Sequence, residues 1–155
     1  MKVRSKLFSI TIFLGILLFF VSCASLGPVY QKVDKIPDGM GLVYIYRPSS
    51  FVGGGISPDI KVGETVVTTL YNGGYFPYFV EPGEVEFWAK TESKSAVTLD
   101  VKAEQTHYIK GTIGVGFFVG RPHLMVVSPD VGEKEIAGCK LIPEKKDDKE
   151  EKTKE

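Results

Sequence analysis

Residues 59–90 read DIKVGETVVTTLYNGGYFPYFVEPGEVEFWAK. Short apolar-rich runs are cut by turn residues every few positions, the pattern of an antiparallel β protein. Asp59-Ile60-Lys61-Val62 alternates, with Ile60 and Val62 directed inward. Gly63-Glu64 makes a tight turn into a run from Thr65 to Leu70. Asn72-Gly73-Gly74 is the next turn, since Asn-Gly suits positions that need φ > 0. The run from Tyr75 to Val80 contains Pro77, which has no N–H for a ladder bond, so this strand is expected at an edge or bulged. Glu81-Pro82-Gly83-Glu84 has type II turn chemistry. It launches Val85, Phe87 and Ala89 inward and Glu84, Glu86, Trp88 and Lys90 outward.

The same pattern continues on both sides. Leu42 to Tyr46 is apolar on both faces and reads as a central strand. Val97, Leu99 and Val101 form one inward set; Ile109, Ile113 and Val115 form another. Leu124 to Ser128 is the last clear strand. Asp130 and Glu133 then have capping-box spacing, so a short helix from Glu133 to Cys139 is expected, although Gly132 weakens it. These elements predict an all-β fold: an antiparallel β-sandwich of seven or eight strands with a short C-terminal helix, over residues 40–142. No strand–helix alternation of the parallel-sheet kind is present.

The ends of the chain have a different composition. MKVRSK is a short basic segment, and LFSITIFLGILLFFV, residues 7–21, is uncharged and apolar. That run is shorter than the ~20 residues a spanning helix needs. Ser22-Cys23-Ala24 supplies small residues for cleavage, so residues 1–22 read as a signal peptide. A Cys at this point resembles the bacterial lipoprotein signal, in which the Cys carries lipid; Phe20 stands where Leu is usual. The resemblance implies that Cys23 is acylated and tied to a membrane, and Ala24 is compatible with outer-membrane sorting. Residues 24–39, with two prolines and no sustained periodicity, read as a tether. Fully extended, it would reach roughly 50 Å at about 3.3 Å per residue. Residues 143–155 carry eleven charges and no apolar side chain, and read as a solvated tail.

Charge narrows the function. The full chain has 19 basic and 19 acidic residues. Without residues 1–22, which hold Lys2, Arg4 and Lys6, the balance is −3. That gives no footprint for nucleic acid, and no electrostatic pull toward an anionic leaflet. With Cys23 acylated, Cys139 has no partner for a disulfide and reads as a buried thiol. His107 and His123 stand at no metal-ligand spacing to it, so neither a metal nor another cofactor is expected.

The glycine run in YRPSSFVGGGISPDI, residues 46–60, invites a phosphate-binding reading. A phosphate loop needs Gly-Lys-Ser/Thr opening a helix. Here Ile56-Ser57-Pro58-Asp59 follows, the first Lys is Lys61, and the next element is a strand. The loop is therefore not a nucleotide site. Two readings stand for its tip: Phe51 docks on the domain's own sheet, the favoured one, or it presents to a partner.

Three pieces, VYIYRPSSFVGGG at 43–55, YNGGYF at 71–76 and EPGE at 81–84, together resemble a family of bacterial envelope lipoproteins known only as a domain of unknown function. The resemblance covers roughly residues 40–115. It implies a β-sandwich on a lipid anchor and no established activity. The Pro-Gly-Glu turn also resembles those of PEGA and transthyretin-like sandwiches.

Four residues are candidates for partner binding: Arg47, Phe51, Tyr75 and Trp88. Arg47 shares a face with Val43 and Ile45, and is expected to lay its stem on apolar surface with its head in solvent; an ion pair or carbonyl contact is favoured over anion binding. Trp88 falls on the charged face of its strand; cover by the loop or the helix is favoured over an interface anchor or a sugar-stacking platform with Tyr75 and Tyr78. His107, in phase with Ile109 and Ile113, reads as a satisfied core histidine. No nucleophile or acid–base pair is discernible, so catalytic residues are not expected. The expectation is a lipid-anchored binding or structural module of the envelope, its partner another envelope protein or a cell-wall polysaccharide. The alternatives are an apolar-ligand carrier built around Phe76, Phe79 and Phe87, and an unrecognised hydrolase.

Overall fold

The computed structural model describes residues 26–144. The expected signal peptide, Cys23 and all of the charged tail beyond Glu144 lie outside the described residues. Among the described residues, nine strands and one helix follow in the order β1 Gly41–Tyr46, β2 Asp59–Val62, β3 Thr65–Thr69, β4 Gly74–Val80, β5 Gly83–Lys90, β6 Lys94–Val101, β7 Thr106–Gly114, β8 Arg121–Val127, α1 Pro129–Ile136 and β9 Lys140–Leu141.

The strands form two sheets, β8-β7-β1-β4-β9 and β3-β2-β5-β6, packed as a sandwich. Most pairs are antiparallel, but β1 runs parallel to β7 and β4 parallel to β9. Tyr46 lies level with Tyr75 on β4 and with Lys110 on β7. β4 lies between β1 and β9, yet it is an edge at Pro77, as that residue's missing N–H led one to expect. The two-residue β9 pairs only with Gly74 and Tyr75, so the outer flank of β4 is unpaired where Pro77 sits.

The inner core holds Val43, Ile45, Ile60, Leu70, Phe87, Ala89, Val101 and Ile109, all essentially buried. Burying each large apolar side chain contributes about 1.5–3 kcal/mol, before the chain-ordering entropy is counted. Val85, Phe87 and Ala89 face this core as the alternation requires. Val115 does not: β7 ends at Gly114, and Val115 stands in a loop at 85% exposure.

A second core covers the outer face of the five-stranded sheet. Leu42, Tyr44, Tyr46, Tyr75 and Tyr108 are buried there with Ile136 and Cys139. One cover is α1, which starts at Pro129 after Ser128 and therefore earlier than the capping-box reading placed it. The other cover is the segment read as a tether. Tyr30, Val33 and Ile36 pack on the tyrosines. Tyr44 Oη accepts from Val33 N at 2.8 Å, and Tyr75 Oη accepts from Gln31 N at 3.3 Å. Backbone bonds from Gly27 N to Leu141 O and from Tyr30 N to Cys139 O add it to the β9 edge. From Leu26 onward the chain is part of the domain, and the expected free span of residues 24–39 is corrected accordingly. Burial pushes the Tyr30 and Tyr108 hydroxyls up to about 12, so both stay protonated.

Candidate functional site

The glycine loop is held from below by Arg47. Its side chain is only 1% exposed. Nη1 donates to Ile56 O at 2.5 Å and Nη2 donates to Gly53 O at 2.7 Å. Gly53 has φ +69, a backbone conformation that glycine adopts without strain. Arg47 forms no ion pair among the described residues, and burial lowers its affinity for the proton. The expected carbonyl contact is present, but the head group is sealed in rather than solvated. Asn72 ties the loop sideways, accepting from Ser50 N and donating to Ser50 O, both at 2.9 Å.

The loop tip does not fold back on the sheet. Phe51 is 102% exposed, and Val52 is half exposed. A second apolar tip lies at the same end. Between β7 and β8, Val115, Phe117, Phe118 and Val119 all stand in solvent. The two loops adjoin: Gly53 lies against Ile113, and Gly120 against Ile56 and Ile113. Glu92, in the turn between β5 and β6, organises the second tip. Its carboxylate accepts from Phe117 N at 2.9 Å, Val119 N at 2.6 Å and Phe118 N. Those amide bonds, with a smaller part from Arg121 nearby, hold the carboxyl below its usual range. Sequence reasoning singled out neither Glu92 nor the Phe117-Phe118 pair. The available signal was Gly114-Val115-Gly116-Phe117-Phe118-Val119-Gly120, where glycines bracket apolar residues that fit no strand.

Trp88 is on the outer face of the four-stranded sheet and is half-buried. Its Nε1–H donates to Gly63 O at 2.8 Å. The Lys61 and Lys94 ammonium groups lie 4.9 and 5.1 Å from its ring centroid, within cation–π range. Neither the glycine-loop tip nor α1 covers it, since α1 packs on the other sheet; the lysine stems take that place. Beside it a surface groove of about 570 Å³ runs along Asp59, Lys61, Trp88 and Lys90 to Ile56 and Val119, and so reaches the apolar tips.

Tyr75 is buried in the outer core, 3% exposed, and cannot share a surface with Phe51 and Trp88. Of the four candidates, then, Phe51 and Trp88 are surface residues, and Arg47 and Tyr75 are internal. Phe76 and Phe87 are packed in the inner core; Phe76 and Phe79 also border a surface cleft of about 310 Å³ beside β3 and β4.

His107 is half-buried, and its Nε2 accepts from Lys102 N at 3.2 Å. Burial lowers its pKa, with Asp100 and Lys102 acting in opposite directions. His123 is exposed opposite Thr112, toward the other end of β7. Among the described residues no three His, Cys, Asp or Glu side chains are grouped as metal ligands. The Cys139 thiol is buried, and burial raises its pKa to about 11.

Fold and site together define a two-sheet β-sandwich that carries two apolar loop tips at one end. The family model described as a protein of unknown function, DUF2846, matches residues 37–122, more than half of the chain, and the chain belongs to that family. The match leaves out residues 26–36, α1 and β9, which cover and close the five-stranded sheet. Neither a curated protein nor a solved structure matches significantly.

Proposed function

We propose that this chain is a lipid-anchored extracytoplasmic β-sandwich of the bacterial cell envelope, acting as a binding or structural module without catalysis. The observation that carries this is the order of segments at the start of the sequence: a basic hexapeptide, an apolar run over residues 7–21, then Ser22-Cys23-Ala24. Acylation of Cys23 would hold the domain at a membrane, by this reading the outer membrane. The domain supports a binding role in a specific way. Its exposed large apolar side chains are concentrated on loops that Arg47 and Glu92 brace from within. The Trp88 groove beside them has the aromatic ring and flanking polar groups that suit an envelope protein or a wall polysaccharide. Once residues 1–22 are removed, 16 basic residues face 19 acidic ones, which disfavours nucleic acid.

The test is intact-mass analysis of the protein recovered from its native membrane. The expected product begins at Cys23 and carries lipid mass. Cys23→Ser should leave the chain uncleaved or unlipidated. A mature protein that retains residues 1–22, or that shows a free thiol at Cys23, overturns the reading.

A further inference from the structure

The outer face of the four-stranded sheet gathers cations around one aromatic ring. Register places Lys61 of β2 directly across from Trp88 of β5, and Lys90 of β5 directly across from Lys94 of β6. Residues two apart on a strand share a face, so all four side chains stand on one surface. Like charges directly opposite each other on neighbouring strands are destabilising. Lys94 finds a counter-ion in Glu86, at 3.0 Å. Lys61 and Lys90 form no ion pair among the described residues. Two cations without a carboxylate therefore flank the protein's single tryptophan.

Lys61, Lys90 and Trp88 all line the groove of about 570 Å³, and the parts of that groove are fixed in advance. The Trp88 Nε1–H is used by Gly63 O. The wall from Ile56 to Asp59 is fastened by buried Arg47 at Ile56 O, and by Leu70 N, which donates to Pro58 O at 2.9 Å. Val119, which also lines the groove, is held by Glu92, and Thr91 Oγ1 donates to Gly120 O at 2.5 Å. The groove's carboxylate, Asp59, accepts from Thr69 Oγ1 at 2.5 Å. A site held in this way loses little freedom when it is filled.

We propose that the groove binds an acidic polysaccharide, a uronate ring lying on the open part of Trp88 and its carboxylate meeting Lys61 and Lys90. This deepens the binding role proposed above and rests on it. The negative face of the indole suits the C–H groups of a pyranose ring. The Lys61 ammonium is 4.9 Å from the ring centroid, so a carboxylate drawn to it arrives beside the indole. Ile56, Pro58 and Val119 add apolar surface for the remaining ring carbons. A neutral glycan would use the ring and leave both cations unmatched. An acidic peptide would match the cations and make no use of a flat floor. Exposed ion pairs are weak and screened, so binding should fall as salt rises.

The test uses the full chain, with the emission of Trp88 as its readout. The probes are an oligogalacturonate, its fully methyl-esterified form and polyglutamate. The oligogalacturonate should change the emission saturably and bind at least tenfold more tightly than either of the others. Lys61→Gln combined with Lys90→Gln should abolish that preference at unchanged Tm, since neither side chain is buried. Equal binding of acid and ester overturns the anionic class. Tighter binding of polyglutamate overturns the sugar and reassigns the groove to an acidic protein segment. No emission change with any probe, or a preference that survives the double substitution, overturns the inference as a whole. Lipidation of Cys23 is read by mass, so each of these failures leaves the anchor standing.

Discussion

Gly132 on α1 lies directly on the ring of Tyr108 on β7, so close that a Cβ on the glycine would overlap ring carbons. The helix reaches the sheet because this one position has no side chain. The glycine that weakens the helix as a sequence element is what lets it pack as a cover. In an exposed helix Gly→Ala would gain about 1 kcal/mol. Here Gly132→Ala should instead cost about 1–3 kcal/mol, because helix or ring must move. Thermal unfolding reads this directly; a raised Tm would show that the contact is soft.

Arg47 is the second structural test. Arg47→Met keeps much of the stem and removes both bonds to Gly53 O and Ile56 O. Losing two bonds from a charged donor should cost about 2–4 kcal/mol. Arg47→Lys should recover only part, since an ammonium does not reproduce the forked geometry. If the residue bound an external anion instead, Arg47→Met would leave the denaturation midpoint unchanged.

Tyr44→Phe removes one oxygen, the acceptor for Val33 N. A loss of about 1 kcal/mol is expected. Amide exchange gives the sharper readout. Val33 should exchange faster in the variant, while amides of β5 and β6 keep their rates. An unchanged Val33 rate would mean that the N-terminal segment is held by other contacts.

Glu92 predicts a local pH dependence. Its carboxyl is held low by the amides of Val119, Phe117 and Phe118, so the folded group loses its proton more easily than the unfolded one. Its stabilising effect is then present above the unfolded carboxylate range and disappears as pH falls through the depressed folded value. Amides 117–119 should be protected at neutral pH and lose protection on acidification. In Glu92→Gln their protection, relative to the intrinsic exchange rate at each pH, should be low and nearly constant; a pH-dependent protection that survives this change would assign it to another group.

The Cys139 thiol, pushed up to about 11 by burial, should be inert to disulfide reagents at neutral pH in the folded protein. Reaction should begin only as the outer core opens in denaturant. Rapid reaction of the native chain at position 139 would contradict the packing of α1 against the sheet.

Much of this architecture was legible. The alternation in Val85-Glu86-Phe87-Trp88-Ala89 assigned both faces of β5 correctly, because one face of that strand is wet. Leu42 to Tyr46 read as central, which it is. What its second apolar face implied was harder to read. That face needs a cover, and the cover includes a segment with no regular structure, so no period marks it. Its contacts are tyrosine hydroxyls meeting backbone amides, Tyr44 with Val33 and Tyr75 with Gln31, a pairing that depends on folded geometry and has no residue pattern. The parallel register of β1 on β7 is similarly non-local. At the candidate site the strand after the glycine loop was legible in the alternation of Asp59 to Val62, where β2 lies. The second tip went unrecognised because a bracketed Phe-Phe-Val looks like a buried strand until its neighbours bend away.

The edge beside β4 is closed by the two ends of the domain lying together, residues 27–30 against Cys139 to Leu141. Each end masks amides and carbonyls that the other would leave bare. Trimming the chain before Gln31 would therefore do more than shorten a leader: it would uncover a ladder at β9 onto which a neighbouring molecule could add a strand, a seed for edge-to-edge growth.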